Sequence, residues 1–332
     1  MKSWVGPLIS VLAAVGLGAL AHAQTVAIKP AVVFSTGGKF DKSFNEGVWQ
    51  GAERFRKETN IAVAEFEPSN ETQFEQALRR FAQRGQDPII AVGFSQAVAL
   101  GKVAREFPNI HFTVIDSVVD LPNVQSVVFK EQEGSFLVGV LAAMASKTGK
   151  IGFVGGMDIS LIHKFEAGYR AGVKHVCPDC TVIANYAGVT PDAFRNPGRG
   201  KEMALAMYNQ GVNVIFHASG STGLGVFEAA RTTGKLAIGV DADQYGEAPG
   251  FILTSMVKGI DASVVAAVRA VKDGSFTGGV QQFGLAEQGV GYIYDGNNRA
   301  LIPDSVRATL DSLTADIIAG RIVVPATREG EQ

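Results

Sequence analysis

Phe34-Ser35-Thr36-Gly37-Gly38-Lys39-Phe40-Asp41-Lys42-Ser43-Phe44-Asn45 leaves the apolar run Ala31 to Phe34 and enters a stretch where Val48, Trp49, Ala52, Phe55 and Arg56 recur at helical spacing. A strand, a polar loop and a helix start in that order form a binding mouth. The loop delivers an acid, a hydroxyl, a ring and an amide to one spot, and the free N–H groups of the first helical turn favour polar ligand atoms.

The same alternation continues outward along the chain. Apolar strand-length runs stand at Ile61–Glu65, Ile89–Val92, Phe112–Ile115, Ile151–Val154, Val182–Asn185, Val214–Phe216 and Leu236–Val240. Helical patterns lie between them at Glu71–Arg84, Gln132–Ser146, Ile162–His175, Gly198–Gln210 and Thr222–Thr233. Continuous Val/Ile/Phe runs are the mark of parallel strands covered by helices on both faces, so the class is α/β. One sheet of so many strands would be very wide. Two doubly wound parallel-sheet lobes explain the length and leave a cleft beyond the strand ends. The predicted division gives residues 26–129 plus 252–278 to an N-terminal lobe and 130–251 plus 279–330 to a C-terminal lobe, with several strands crossing a hinge.

The 332 residues carry a formal charge of −2. Lys2, the apolar run Leu8–Leu20 and Ala21-His22-Ala23 read as a cleavable export signal, residues 1–23, cut after Ala23. No Cys stands at that junction for acylation, and the run is too short for a lasting span. Removing the signal takes away Lys2 alone among charged residues, which moves the charge from −2 to −3. Nucleic acid is not an expected partner of such a chain. The expectation is a periplasmic monomer. Its two cysteines, in Cys177-Pro178-Asp179-Cys180, stand between a helix and a strand; an exported chain can close them as a small disulfide, while a redox pair would open a helix.

In parallel α/β lobes the positions just after each strand have first claim on a ligand. They are Ser35 with the Asp41–Asn45 loop, Gly93-Phe94-Ser95, Asp116-Ser117, Gly155-Gly156-Met157-Asp158, His217-Ala218-Ser219-Gly220 and Asp241-Ala242-Asp243-Gln244. Glycines permit close backbone approach, carboxylates accept hydroxyl hydrogens and rings cover flat apolar faces. A neutral, flat, hydroxylated ligand such as a nucleoside suits that set.

Asp41-Lys42-Ser43-Phe44-Asn45, Gly93-Phe94, Phe112–Asp116, Val128-Phe129-Lys130-Glu131-Gln132-Glu133-Gly134, Gly152–Gly156, Ala218–Gly223 and Ile238-Gly239-Val240-Asp241-Ala242-Asp243-Gln244 together resemble the basic membrane protein family of ABC-transporter substrate-binding proteins. The resemblance spans nearly the whole exported chain. It implies a type I periplasmic-binding-protein fold with a hinge and interlobe cleft, delivering a purine nucleoside to an ABC permease in the inner membrane, with no cofactor. By position it implies Phe44 as the stacking ring, Asn45 as the amide meeting the base, and Asp116 and Asp241 as acceptors. Phe216 or His217 would form the opposing face, and Lys258 would contact ribose. Ser35 departs from the pattern, since many relatives carry an acid there.

Plainer readings stand beside these. Phe44 or Phe94 can fill the core, Ser43 or Asn45 can cap the helix, Asp116 can end a strand in a turn, and one of Asp241 and Asp243 is expected to be structural. Gly220-Ser221-Thr222-Gly223-Leu224-Gly225 imitates a dinucleotide fingerprint, with Asp241 following at the next strand end. Its glycine spacing is wrong for that motif, however, and the segment reads better as a tight turn whose Gly220 meets the ligand. No His-rich or paired-Cys metal motif and no nucleophile signature stand out. The prediction is a receptor without turnover. A flavin or other solute receptor and a chemosensory protein are the nearest alternatives, and an NAD-dependent enzyme a distant one.

Overall fold

The computed structural model describes residues 27–328, so the expected export signal, residues 1–23, lies outside the described residues. Strand β1 (Ala31–Val33) is wholly buried and pairs in parallel with β2 (Ala64–Phe66) on one side and β3 (Ile89–Val92) on the other. Next to β3 come β4 (Phe112–Ile115), β5 (Val124–Phe129) and β11 (Gly279–Phe283), completing a six-stranded sheet. Every residue of β3 and β4 is buried, as expected where helices cover both faces. The helices of this lobe are α1 (Phe44–Thr59), α2 (Phe74–Gln83), α3 (Ala97–Glu106) and α8 (Ile260–Lys272), with α8 against α1.

The second sheet runs β12 (Val290–Tyr292), β10 (Ile252–Lys258), β9 (Leu236–Asp241), β8 (Val214–Ala218), β6 (Lys150–Met157), β7 (Thr181–Gly188). Place for place it repeats the first, except that its outermost strand, β12, is antiparallel to β10. Around it lie α4 (Glu131–Ala145), α5 (Ser160–Val176), α6 (Pro197–Asn209), α7 (Gly223–Thr233) and α9 (Asp304–Ile318). Glycines bring α4 and α5 into backbone contact: a methyl group at Gly139, Gly168 or Gly172 would overlap the main chain of Tyr169, Gln132 or Phe136. Cys177 and Cys180 form a disulfide between α5 and β7, with Cα atoms 5.3 Å apart.

Two boundaries of the expected division are overturned. Ile252–Lys258 belongs to the second sheet, where Met256 registers with Val240, and Gly279–Phe283 belongs to the first, alongside Gln125–Phe129. An apolar run announces a strand but not the sheet it joins. The chain crosses between lobes three times, at Phe129–Glu131, Lys258–Ile260 and Phe283–Val290. These crossings are laced together: Lys130 N–H donates to Phe283 O at 2.9 Å and Gly259 N–H to Gly289 O at 2.8 Å.

Candidate functional site

The loop between β1 and α1 is organised by Asp41. Its Oδ1 accepts from the N–H groups of Ser43 (2.9 Å) and Glu46 (3.1 Å), and its Oδ2 from the N–H (3.0 Å) and Nδ2 (2.8 Å) of Asn45. The carboxylate thus satisfies three of the open donors at the start of α1. Ser43 holds the N-cap position, but the capping side chain is that of Asp41 rather than Ser43 or Asn45. Burial raises its pKa to about 6, against the lowering effect of these bonds. The Asn45 amide is equally engaged, since Oδ1 accepts from Ser35 N and Oγ at 3.0 Å each while Nδ2 donates to Ser35 Oγ at 2.9 Å and to Asp41. With its bonds already made, that amide has little left for a base.

Phe44, at the head of α1, is half-buried and faces a cavity between the lobes. Gly93, with φ 96°, lets the β3 turn approach its ring: a Cβ there would sit 3.6 Å from Phe44 Cε1. Across the cleft, Phe194 follows β7 in a short 3₁₀ turn and lines the same cavity. Gly156 of β6 seats that ring, because any side chain at this position would overlap it. The cavity's water-accessible volume is ≈ 90 Å³, several times the about 10–15 Å³ that one water needs, so it has room for a small organic molecule.

Asp116 follows β4 and Asp241 ends β9, equivalent places in the two sheets. Both adopt left-handed backbone conformations, with φ 65° and 66°, costly for non-glycine residues and typical of strain held at functional sites. Between them stands Lys258, the last residue of β10. Its Nζ donates to Asp116 Oδ2 at 2.6 Å and to Glu131 Oε1 at 3.3 Å, among the rings of Phe129 (5.0 Å), Phe44 (5.2 Å) and Phe165 (5.7 Å). Asp241 Oδ2 accepts from Ser43 Oγ of the opposite lobe at 2.5 Å. Burial raises Asp116 to about 6 and pushes Asp241 upward, in both cases against the lowering effect of Lys258. Burial alone would lower Lys258, but Asp116, Glu131 and Asp241 hold it above its ordinary value. Asp116 Oδ1 is buried without a hydrogen-bond partner, which leaves an acceptor for a ligand hydroxyl.

Of the residues expected from sequence, Asp41, Phe44, Asn45, Phe94, Ser95, Asp116, Gly220, Asp241 and Lys258 line this cavity. Phe216 and His217 do not, and the expectation of an opposing face there is corrected. Strand β8 continues to Ala218, which keeps both residues inside the lobe. Phe216 packs against Phe153, Tyr169 and Phe165. His217 faces Gln244 Oε1 at 3.1 Å and Phe227, and burial lowers its pKa to about 4, so it stays neutral. The sequence reading missed Phe194, Phe165, Leu161 and Ile162. Its own rule about strand ends finds Phe194 once β7 is extended to Gly188. The glycine-rich decoy is also explained: side chains at Gly223 and Gly225 would strike the His217 ring and Pro197 O, so these glycines serve packing. No cluster of metal-ligating side chains occurs among the described residues.

Residues 28–328 match the family model described as ABC transporter substrate-binding protein PnrA-like. The chain is 34% identical over 322 residues to the "ABC transporter nucleoside-binding protein BmpA" of Lactococcus lactis, covering 90% of this chain and 89% of that one. It is 34% identical over 309 residues to "Basic membrane protein A1" of Borrelia garinii, with the same coverage of 90% and 89%. Among solved structures, an ABC transporter solute-binding protein from Aeropyrum pernix superposes with a TM-score of 0.84 at 29% identity, over 92% of this chain and 95% of that one. Two six-stranded lobes joined by three crossings are the type I periplasmic-binding architecture.

Proposed function

The chain belongs to the PnrA-like family of ABC transporter substrate-binding proteins, and from that premise we propose that it captures a purine nucleoside by closing its lobes and hands it to an inner-membrane permease. The observation that carries this reading is the pairing of Asp116 and Asp241, strained residues at equivalent strand ends of opposite lobes, flanking Lys258. Vicinal ribose hydroxyls donate to such carboxylates, at about 1.5–3 kcal/mol for a hydrogen bond to a charged group. Phe44 from one lobe and Phe194 from the other supply flat faces for the base, at roughly 1–3 kcal/mol per stacked base. Ser95, Phe94 and Gly220 complete the wall. The bonds Ser43 to Asp241, and Gln244 Nε2 to Lys42 O at 2.9 Å, join the lobes over the cavity and describe the closed state.

Binding without turnover is the reading that membership of a substrate-binding protein family supports. A ligand that binds only the folded form raises the melting temperature by an amount that grows with the logarithm of its concentration relative to Kd. A thermal-shift panel of nucleosides, free bases, ribose, riboflavin and NAD tests the proposal. Stabilisation by purine ribosides above their separate base and sugar supports it; stabilisation by riboflavin or NAD alone overturns it.

A further inference from the structure

Glu131 does not line the cavity, yet it is wholly buried at the first crossing between the lobes, at the head of α4. Buried carboxylates persist only when paired. Glu131 has two partners: Oε1 accepts from Lys258 at 3.3 Å, and Oε2 from Lys164 of α5 at 3.2 Å. Both lysines belong to the second lobe. So does Glu131, because α4 packs on α5, β10 and β12, and a Cβ at Gly134 would come within 2.7 Å of Met256 Cε on β10. The first turn of α4 and the strand carrying Lys258 therefore move as one body. Asp116 stands on the first lobe, and Asp241, though on the second, is engaged by Ser43 rather than ion-paired to Lys258.

When the lobes part, Lys258 must leave Asp116 but has no reason to leave Glu131. Without Glu131, the ammonium would face the rings of Phe129 and Phe165 with no contact ion pair, keeping only the more distant charge of Asp241 on its own lobe, and would have to be reordered at each closure. We propose that Glu131 is a positioning residue, the resident counter-ion that keeps Lys258 charged and aimed in the open form, while Asp116 is the partner it meets only on closing. This rests on the lobe-closure part of the reading above and not on the identity of the ligand. The groups facing Lys258 are Asp116 from the β4 loop, Glu131 from α4, Asp241 from β9 and the three rings; Lys164 of α5 faces Glu131.

Competitive labelling with acetic anhydride across a pH series, read by mass spectrometry on the ligand-free full chain, measures the titration of Lys258 itself. In Glu131→Gln the labelling midpoint of Lys258 is expected to fall by about one pH unit or more relative to wild type, the effect of losing one adjacent opposite charge. Glu131→Asp, which keeps the charge but shortens its reach, falls between the two. If the Gln variant does not fold, the Asp variant alone decides by the same downward shift. An unchanged midpoint in folded variants overturns the role of Glu131. Absence of Lys258 labelling in every form, at every pH, means that the lobes do not part and overturns the closure reading beneath it. Neither outcome depends on which solute binds.

Discussion

Phe44 is half-buried and framed by Gly93 of its own lobe, so its ring is held in place before any ligand arrives, and the Lys258 ammonium of the other lobe stands 5.2 Å from it. Phe44→Ala is therefore expected to weaken purine-riboside binding by about 1–3 kcal/mol, roughly 5- to 150-fold, while leaving free ribose unaffected. Calorimetry with both ligands checks this, and equal losses for the two would remove the ring from base recognition. At this scale the sequence disclosed what lies immediately beyond a strand. Asp116 and Asp241 were legible because each follows an apolar run, whereas Lys258 was reached only through the family resemblance. Asp41 was legible as a site residue but not as the cap of α1, since its four hydrogen bonds depend on how the loop folds back. His217 misled because Val214–Phe216 reads as a finished strand, whereas β8 runs two residues further and keeps His217 inside the lobe; Phe216, placed by the resemblance alone, is buried in the same strand. Phe194 was hidden by the reverse error: β7 outlasts its apolar centre, and the ring waits beyond Pro191.

Among the elements, the α4–α5 pair governs the second lobe. Gly172 lies where a side chain would meet the Phe136 carbonyl, a main-chain atom that cannot rotate away. Gly172→Val gains at most a few tenths of a kcal/mol in helix propensity. Overpacking costs about 1–3 kcal/mol, so separation of the helices wins. The variant is expected to melt several degrees lower, at about 2–4 °C per kcal/mol for a chain of this size. Its affinity for adenosine at 25 °C should stay near wild type, because neither helix face at that contact borders the cavity; a lost affinity with an unchanged melt would contradict this account. Helices and strands were readable from periodicity, since 3.6-residue and continuous apolar patterns survive in any topology. Membership of a sheet was not. Strand β10 carries an ordinary apolar strand pattern and β11, Gly279–Phe283, does not, and only pairing with β9 and β5 assigns them to opposite lobes.

As a whole molecule, the chain repeats one strand order twice and brings the ends of corresponding strands face to face. That arrangement turns two strained aspartates, one on each lobe, into a single polar pole beside two rings. Three glycine-containing or short crossings join the lobes, and Ser43–Asp241 and Lys42–Gln244 bond them across the cleft. The central claim is that this cleft clasps a purine nucleoside without converting it. Isothermal titration of the full chain with adenosine, followed by chromatography of the recovered solute, tests it most directly. The account predicts saturable one-to-one binding and unaltered adenosine; the absence of saturable heat, or recovery of adenine and ribose, would contradict it.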